Sequence, residues 1–333
     1  MARYRASSLF NAIALVVGAI AFGFVAARLG WSGVREAVVG TGSWFAVIAA
    51  IDLASAMCDA FGIHGLLRAS SRVAYPRVVA AQLSGMAINR LTPGNTLGEP
   101  VKVTMLVRSA PVDGAVAAIM VFNLLTMYVA IAAIVIGVPL TVLWLDLPPQ
   151  VAAAVWIATA ALVGIALLVW LLVRRGAVGT AIDALAGIGV IAPDRAARWR
   201  ARVTAIDGRV RGLASTRTAG LGRGLAGVIG SRVLNWAGTI AVLHAAGIPM
   251  TAPLVIASLS VGILVTWLSN IIPLGLGIAD GTNYVLYGLL GAAPVAGLLF
   301  TLVNRLRTVL LALLGLSVMF IANALHRRNS AVS

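Results

Sequence analysis

Residues Asn89–Lys102 read NRLTPGNTLGEPVK. These fourteen positions hold an Arg, a Glu, a Lys, two Asn, two Pro and two Gly, and apolar segments flank them on both sides. Across the whole chain 61% of residues are hydrophobic and only 11% are charged, with a mean hydropathy of +1.01. A soluble domain carries about 25% charged residues, so the stretch is a polar island inside a membrane protein. Its place in the topology decides the fold.

About 20 consecutive apolar residues cross a bilayer core, and such runs occur at 9–29, 43–64, 112–138, 150–173, 224–246 and 294–322. The first is too long for a cleavable signal, lacks a small-residue cleavage site and is followed by further spans. Two segments remain, 77–111 and 251–293, each with two apolar limbs around a Gly/Pro-rich centre. In the first, the limbs RVVAAQLSGMAI and VKVTMLV are too short to cross at ~1.5 Å per residue. Arg77 and Arg108 hold both of its ends on the cytoplasmic side, so it reads as a hairpin entering from inside. The second has no Lys or Arg from 251 to 293, and parity makes it enter from outside, although its first limb is long enough to cross completely.

The expected fold class is an all-α polytopic membrane protein: one transmembrane domain with about six full spans plus two re-entrant helical hairpins in an inverted-repeat arrangement. The first half is 43–138 with hairpin 77–111, and the second is 224–322 with hairpin 251–293.

The net charge of +15 follows the topology. Eighteen basic residues fall on one side of the alternating spans, and only Arg28 and Arg35 on the other. This positive-inside bias puts both termini in the cytoplasm, as expected for a bacterial cytoplasmic (inner) membrane protein. No aromatic stripe interleaves with the basic residues, so nucleic acid is not an expected partner. The linker 174–223 has ten Arg, and Trp199, Val203, Ile206, Val210 and Leu213 recur at helical spacing. It reads as an amphipathic helix on the inner leaflet or as a plain connector, and is too short for a catalytic domain. Cys58 is the single cysteine, and His64, His244 and His326 are far apart. Neither a disulfide, a metal site nor a cofactor is expected.

An ionised side chain at the bilayer centre costs at least ~2.5–3.5 kcal/mol and normally faces a partner or a wet cavity. The sequence places Asp52 and Asp59 in the second span, Arg90, Glu99 and Lys102 in the first hairpin, Asp280 in the second, and Arg305 and Arg307 within the last span. Lys102 is the only lysine and Glu99 one of two glutamates. Pro100 suits a first helical turn, which sets Glu99 at the helix start and Lys102 on the same face. The free amides from Asn95 to Glu99 would form an anion site, and a second helix starts near Asp280. This collection suits a phosphate. The alternative is that pairs such as Arg90–Glu99 or Lys102–Asp280 merely lock the hairpins. Asp52 and Asp59, seven residues apart on one helix face, are candidates for carrying protons, but Asp59 reads rather as a structural residue near the inner interface.

These motifs resemble a known family, which contains the transmembrane flippase region of lysylphosphatidylglycerol synthases and stand-alone flippase-like proteins. Its first signature falls on Asn89, Pro93, Gly94, Gly98, Glu99 and Lys102, and its second on Pro273, Gly275, Gly277 and Asp280. The likeness runs from about 9 to 322. Leu97 stands where the family usually has the first of two glycines, and Asp280 replaces the commoner Glu. The fused aminoacyl-transferase domain has no counterpart here, so the resemblance implies lipid movement rather than lipid synthesis.

The expectation is therefore a non-enzymatic lipid flippase or transporter. It would take a phospholipid or a polyprenyl-phosphate-linked carrier, with membrane lipids as partners and room for a homo-oligomer. The substrate-binding set would be Asn89, Arg90, Pro93, Gly94, Asn95, Gly98, Glu99, Lys102, Asn270, Pro273, Gly275, Gly277, Asp280, Arg305 and Arg307. A transporter of small soluble anions would use the same site. An intramembrane transferase would need clustered carboxylates for a metal, or a nucleophile with a base, and neither pattern is present.

Overall fold

The structure, a computed structural model, describes residues 42–68, 71–92, 97–144, 149–175, 208, 212, 219–269 and 278–332. The expected first span 9–29 and nearly all of the 174–223 linker, with its amphipathic helix, lie outside the described residues. Nine helices and no strand occur among them: α1 Trp44–Leu67, α2 Tyr75–Leu91, α3 Gly98–Leu106, α4 Val112–Trp144, α5 Pro149–Arg175, α6 Ala219–Ala245, α7 Ala252–Ser269, α8 Ile278–Leu289 and α9 Pro294–Val332. Five of these, α1, α4, α5, α6 and α9, are long and apolar enough to cross a membrane. The chain is a polytopic helical membrane protein.

Helices α2 and α3 have 17 and 9 residues, which gives lengths of about 25 and 13 Å against a hydrocarbon core of about 30 Å. Pro76 in the first turn starts α2. The helix stops at Thr92, whose backbone is extended with φ −113 and ψ 144, because the residue before a proline is pushed out of the helical region. Helices α7 and α8 form a second pair, with 18 and 12 residues.

Helices α1 and α6 pack antiparallel and make the most extensive contact in the molecule. Trp44 at the start of α1 meets His244 at the end of α6, ring centroids 4.7 Å apart. At the opposite end Gly62 faces Gly224 and Gly227, and a Cβ on Gly227 would stand 2.6 Å from the Cys58 carbonyl oxygen. Between these ends Ser55 Oγ and Ser231 Oγ lie 2.9 Å apart, and Asn235 Nδ2 donates to Ser55 Oγ at 2.8 Å. Lipid tails are as apolar as the side chains, so close backbone approach and polar bonds of this kind hold membrane helices together.

Two apolar cores cap this antiparallel pair. One joins Ile63, Leu66 and Leu67 of α1 to Val78 and Leu106 at the base of α2–α3 and to Phe122 of α4. The other joins Leu243 of α6 to Leu254, Tyr287 and Leu290 at the base of α7–α8. The bases of the two short-helix pairs thus sit at opposite ends of α1/α6. The contacts also repeat when the halves are exchanged: α1 packs on α6, α2 on α9 as α7 on α4, and α3 on α4 as α8 on α9.

Candidate functional site

The site is built where α2 ends and α3 begins. Asn89 uses both ends of its amide: Oδ1 accepts from the Gly98 amide at 2.6 Å, and Nδ2 donates to Glu99 Oε1 at 3.0 Å. It therefore satisfies a free amide of the first turn of α3 and holds the acid there. Lys102, one turn on, donates Nζ to the same Glu99 oxygen at 2.8 Å. The lysine is buried, 4% exposed, and the glutamate 26% exposed. Asn123 of α4 lies beside the carboxylate, whose buried Oε2 has no hydrogen-bond partner among the described residues.

Glycine makes this seat possible. A Cβ on Gly85 of α2 would stand 2.6 Å from Lys102 Cε, and one on Gly98 would stand 2.5 Å from Asn89 Oδ1. The lysine stem lies in the gap that Gly85 leaves.

Arg90 follows Asn89 but points elsewhere. It lies deep among the helices, keeps part of its surface accessible, and feels the attraction of Asp52 and Asp59 and the repulsion of Arg307. No carboxylate among the described residues forms an ion pair with it. Arg307 of α9 instead forks onto Asp52 of α1, with Nε to Oδ2 at 2.5 Å and Nη2 to Oδ1. This pair is buried, at 11% and 2% exposed, and Gly238 of α6 leaves room for the guanidinium.

Asp59 of α1 lies between α2 and α6. Gln82 Nε2 donates to its Oδ2 at 3.1 Å, Ser231 reaches it from α6, and Lys102 and Arg232 act on it through their charge. Arg232, whose buried Nε has no partner among the described residues, was missed by the sequence reading. Its signal was an arginine inside the apolar run 224–246. Gln82, Gly85 and Asn123 were also missed, because an amide or glycine in an apolar helix carries no mark of its partners.

In the other half Asp280, in the first turn of α8, pairs with Arg305 Nη2 of α9 at 2.5 Å. Asn283 Nδ2 donates to Thr301 Oγ1 at 2.9 Å one turn further on. Lys102 and Asp280 therefore pair with Glu99 and Arg305, not with each other. Of the remaining sequence candidates, Pro93, Gly94 and Asn95 at the first break, and Asn270, Pro273, Gly275 and Gly277 at the second, lie outside the described residues.

The structure thus brings Asn89, Gly98, Glu99 and Lys102 into one bonded cluster. It sets Arg90, Asp52 and Arg307 beside that cluster at the α1–α2–α9 junction, and Asp280 with Arg305 on the far side of α9. Chemically the arrangement offers a deep cation without a carboxylate of its own among the described residues, framed by ion pairs. A model of the family described as "Lysylphosphatidylglycerol synthase TM region" matches residues 11–315. Neither the curated proteins nor the solved structures give a match to the chain.

Proposed function

The chain belongs to the lysylphosphatidylglycerol synthase transmembrane-region family, and from that premise we propose that it moves a phosphate-bearing lipid across the bacterial cytoplasmic membrane. The lipid is a phospholipid or a polyprenyl-phosphate-linked carrier. The protein acts as a transporter and catalyses no covalent step.

The observation that carries this reading is Arg90: a residue deep among the helices whose guanidinium has no carboxylate bound to it among the described residues. Phosphate is, with carboxylate, an anion whose geometry the planar fork of arginine matches, and in this reading the lipid tails stay in the bilayer while the headgroup meets Arg90.

In this reading α2–α3 and α7–α8 are re-entrant hairpins of an inverted repeat, entering from the cytoplasmic and outer faces with both termini in the cytoplasm. Support comes from their bases at opposite ends of α1/α6, and from contacts that recur on exchanging the halves. Broken helices meeting near mid-membrane are a recurrent plan for transporters.

The test is translocation of labelled phospholipids and polyprenyl phosphates in proteoliposomes holding the full chain. Wild-type protein accelerates movement of at least one lipid, and Arg90→Gln slows it about tenfold or more, the scale of one lost charge-assisted contact. No acceleration across the panel, or uptake of soluble phosphate instead, sinks the proposal.

A further inference from the structure

Asp52 and Asp59 stand two turns apart on one face of α1, and both attract the Arg90 guanidinium. Their partners differ in kind. Asp52 is forked by Arg307, a cation that does not release its proton. Asp59 is bonded by a neutral group, the Gln82 amide, and the neutral Ser231 hydroxyl lies near it.

Those neutral partners serve either form of the acid. Gln82 Nε2 now donates to the carboxylate, while Gln82 Oε1 is buried with no partner among the described residues. A half-turn of the amide presents Oε1 to the O–H of a protonated Asp59, and a serine hydroxyl both donates and accepts. The Asp52–Arg307 fork has no such second arrangement, because a guanidinium accepts nothing.

We propose that Asp59 takes up a proton when Arg90 binds a monoanionic phosphodiester headgroup, so that proton and lipid move together. This rests on the lipid-transport reading of the same site. An anion at Arg90 repels the Asp59 carboxylate, and protonating Asp59 removes a competitor for Arg90. Each ligand therefore raises the affinity of the other by the same factor. One proton with one monoanion also leaves the charge held inside the membrane unchanged.

The remaining groups bearing on Asp59 are Cys58 on its own helix, Lys102 on α3 and Arg232 on α6. Lys102 stays occupied by Glu99, and Arg232 makes no ion pair with Asp59. Asp52 and Arg307, beyond Arg90, keep each other in both states.

Calorimetry of the full chain with short-chain phosphatidylglycerol, in buffers of different ionisation enthalpy, tests the coupling. Wild-type protein takes up close to one proton per lipid, and its affinity falls by up to about tenfold per pH unit where Asp59 titrates. Asp59→Asn binds without uptake and with flat pH dependence, and Cys58→Ser keeps the uptake. Wild-type binding without proton uptake overturns the proposal, as does uptake that persists in Asp59→Asn.

Infrared titration in the absence of lipid separates this proposal from its parent. A carboxylic-acid band that appears on acidification in wild type and is missing in Asp59→Asn supports the proton site even if no lipid binds. The same band in both proteins refutes it even if lipid does bind.

Discussion

Arg305 and Arg307 lie two residues apart on α9, about 200° apart around the helix axis, and each reaches a different half of the protein. Arg305 pairs with Asp280 at the start of α8 at 2.5 Å, and Arg307 forks onto Asp52 of α1. One helix therefore fastens the tip of the second short-helix pair on one side and α1, beside Arg90, on the other.

Breaking the Arg307–Asp52 pair from one side leaves a buried charge uncompensated. Arg307→Gln is expected to cost about 3–5 kcal/mol, while the double variant Asp52→Asn/Arg307→Gln recovers most of that loss. A double-mutant cycle on unfolding in detergent measures it. Losses that simply add would show that the two side chains do not act as a pair.

Arg90 should behave in the opposite way. With no carboxylate attached among the described residues, Arg90→Gln is expected to leave stability within about 1 kcal/mol of wild type or raise it, as often happens when a buried functional group is removed. Lipid binding falls at least tenfold in the same variant. A large loss of stability would mean that Arg90 is a structural lock.

Gly98→Ala drives a methyl group into the Gly85 carbonyl and Asn89 Oδ1, and an expected cost of about 1–3 kcal/mol follows from overpacking. Gly164→Ala in α5 meets open space and gains about 0.5–1 kcal/mol through helix propensity. Melting temperatures of the two variants should therefore move in opposite directions.

Cysteine labelling on a Cys58→Ser background reads the orientation of the hairpins. Ser109→Cys, at the base of α2–α3, is expected to react with impermeant reagent from the cytoplasmic side, and Ala293→Cys, at the base of α7–α8, from the other. Labelling of both from one face would rule out the inverted arrangement.

Much of the architecture was legible before any coordinates. The runs 43–64, 112–138, 150–173, 224–246 and 294–322 return as α1, α4, α5, α6 and α9, with most ends close to those expected and with α4 and α9 running on to Trp144 and Val332, because hydropathy and helix length are local sums. The break after Leu91 was legible for the same reason: Pro93 acts on its immediate neighbour. Arg232 escaped notice although its charge stood in plain view inside an apolar run. The double bonding of Asn89 and the bed that Gly85 makes for Lys102 had no local signal, since each depends on a helix that folds back.

The sequence by itself determined that this is a helical membrane protein, where its long helices run and where the helix ending at Leu91 breaks. Those properties are set by the solvent each residue can tolerate and by neighbours along the chain. Only the tertiary structure decided which acid meets which base. Asp52 and Arg307 are 255 residues apart, and small residues in α1 and α6 let the helices close around that pair while leaving Arg90 without one. Partner choice in a low-dielectric interior turns on ångström-scale approach, which hydropathy along the chain does not encode.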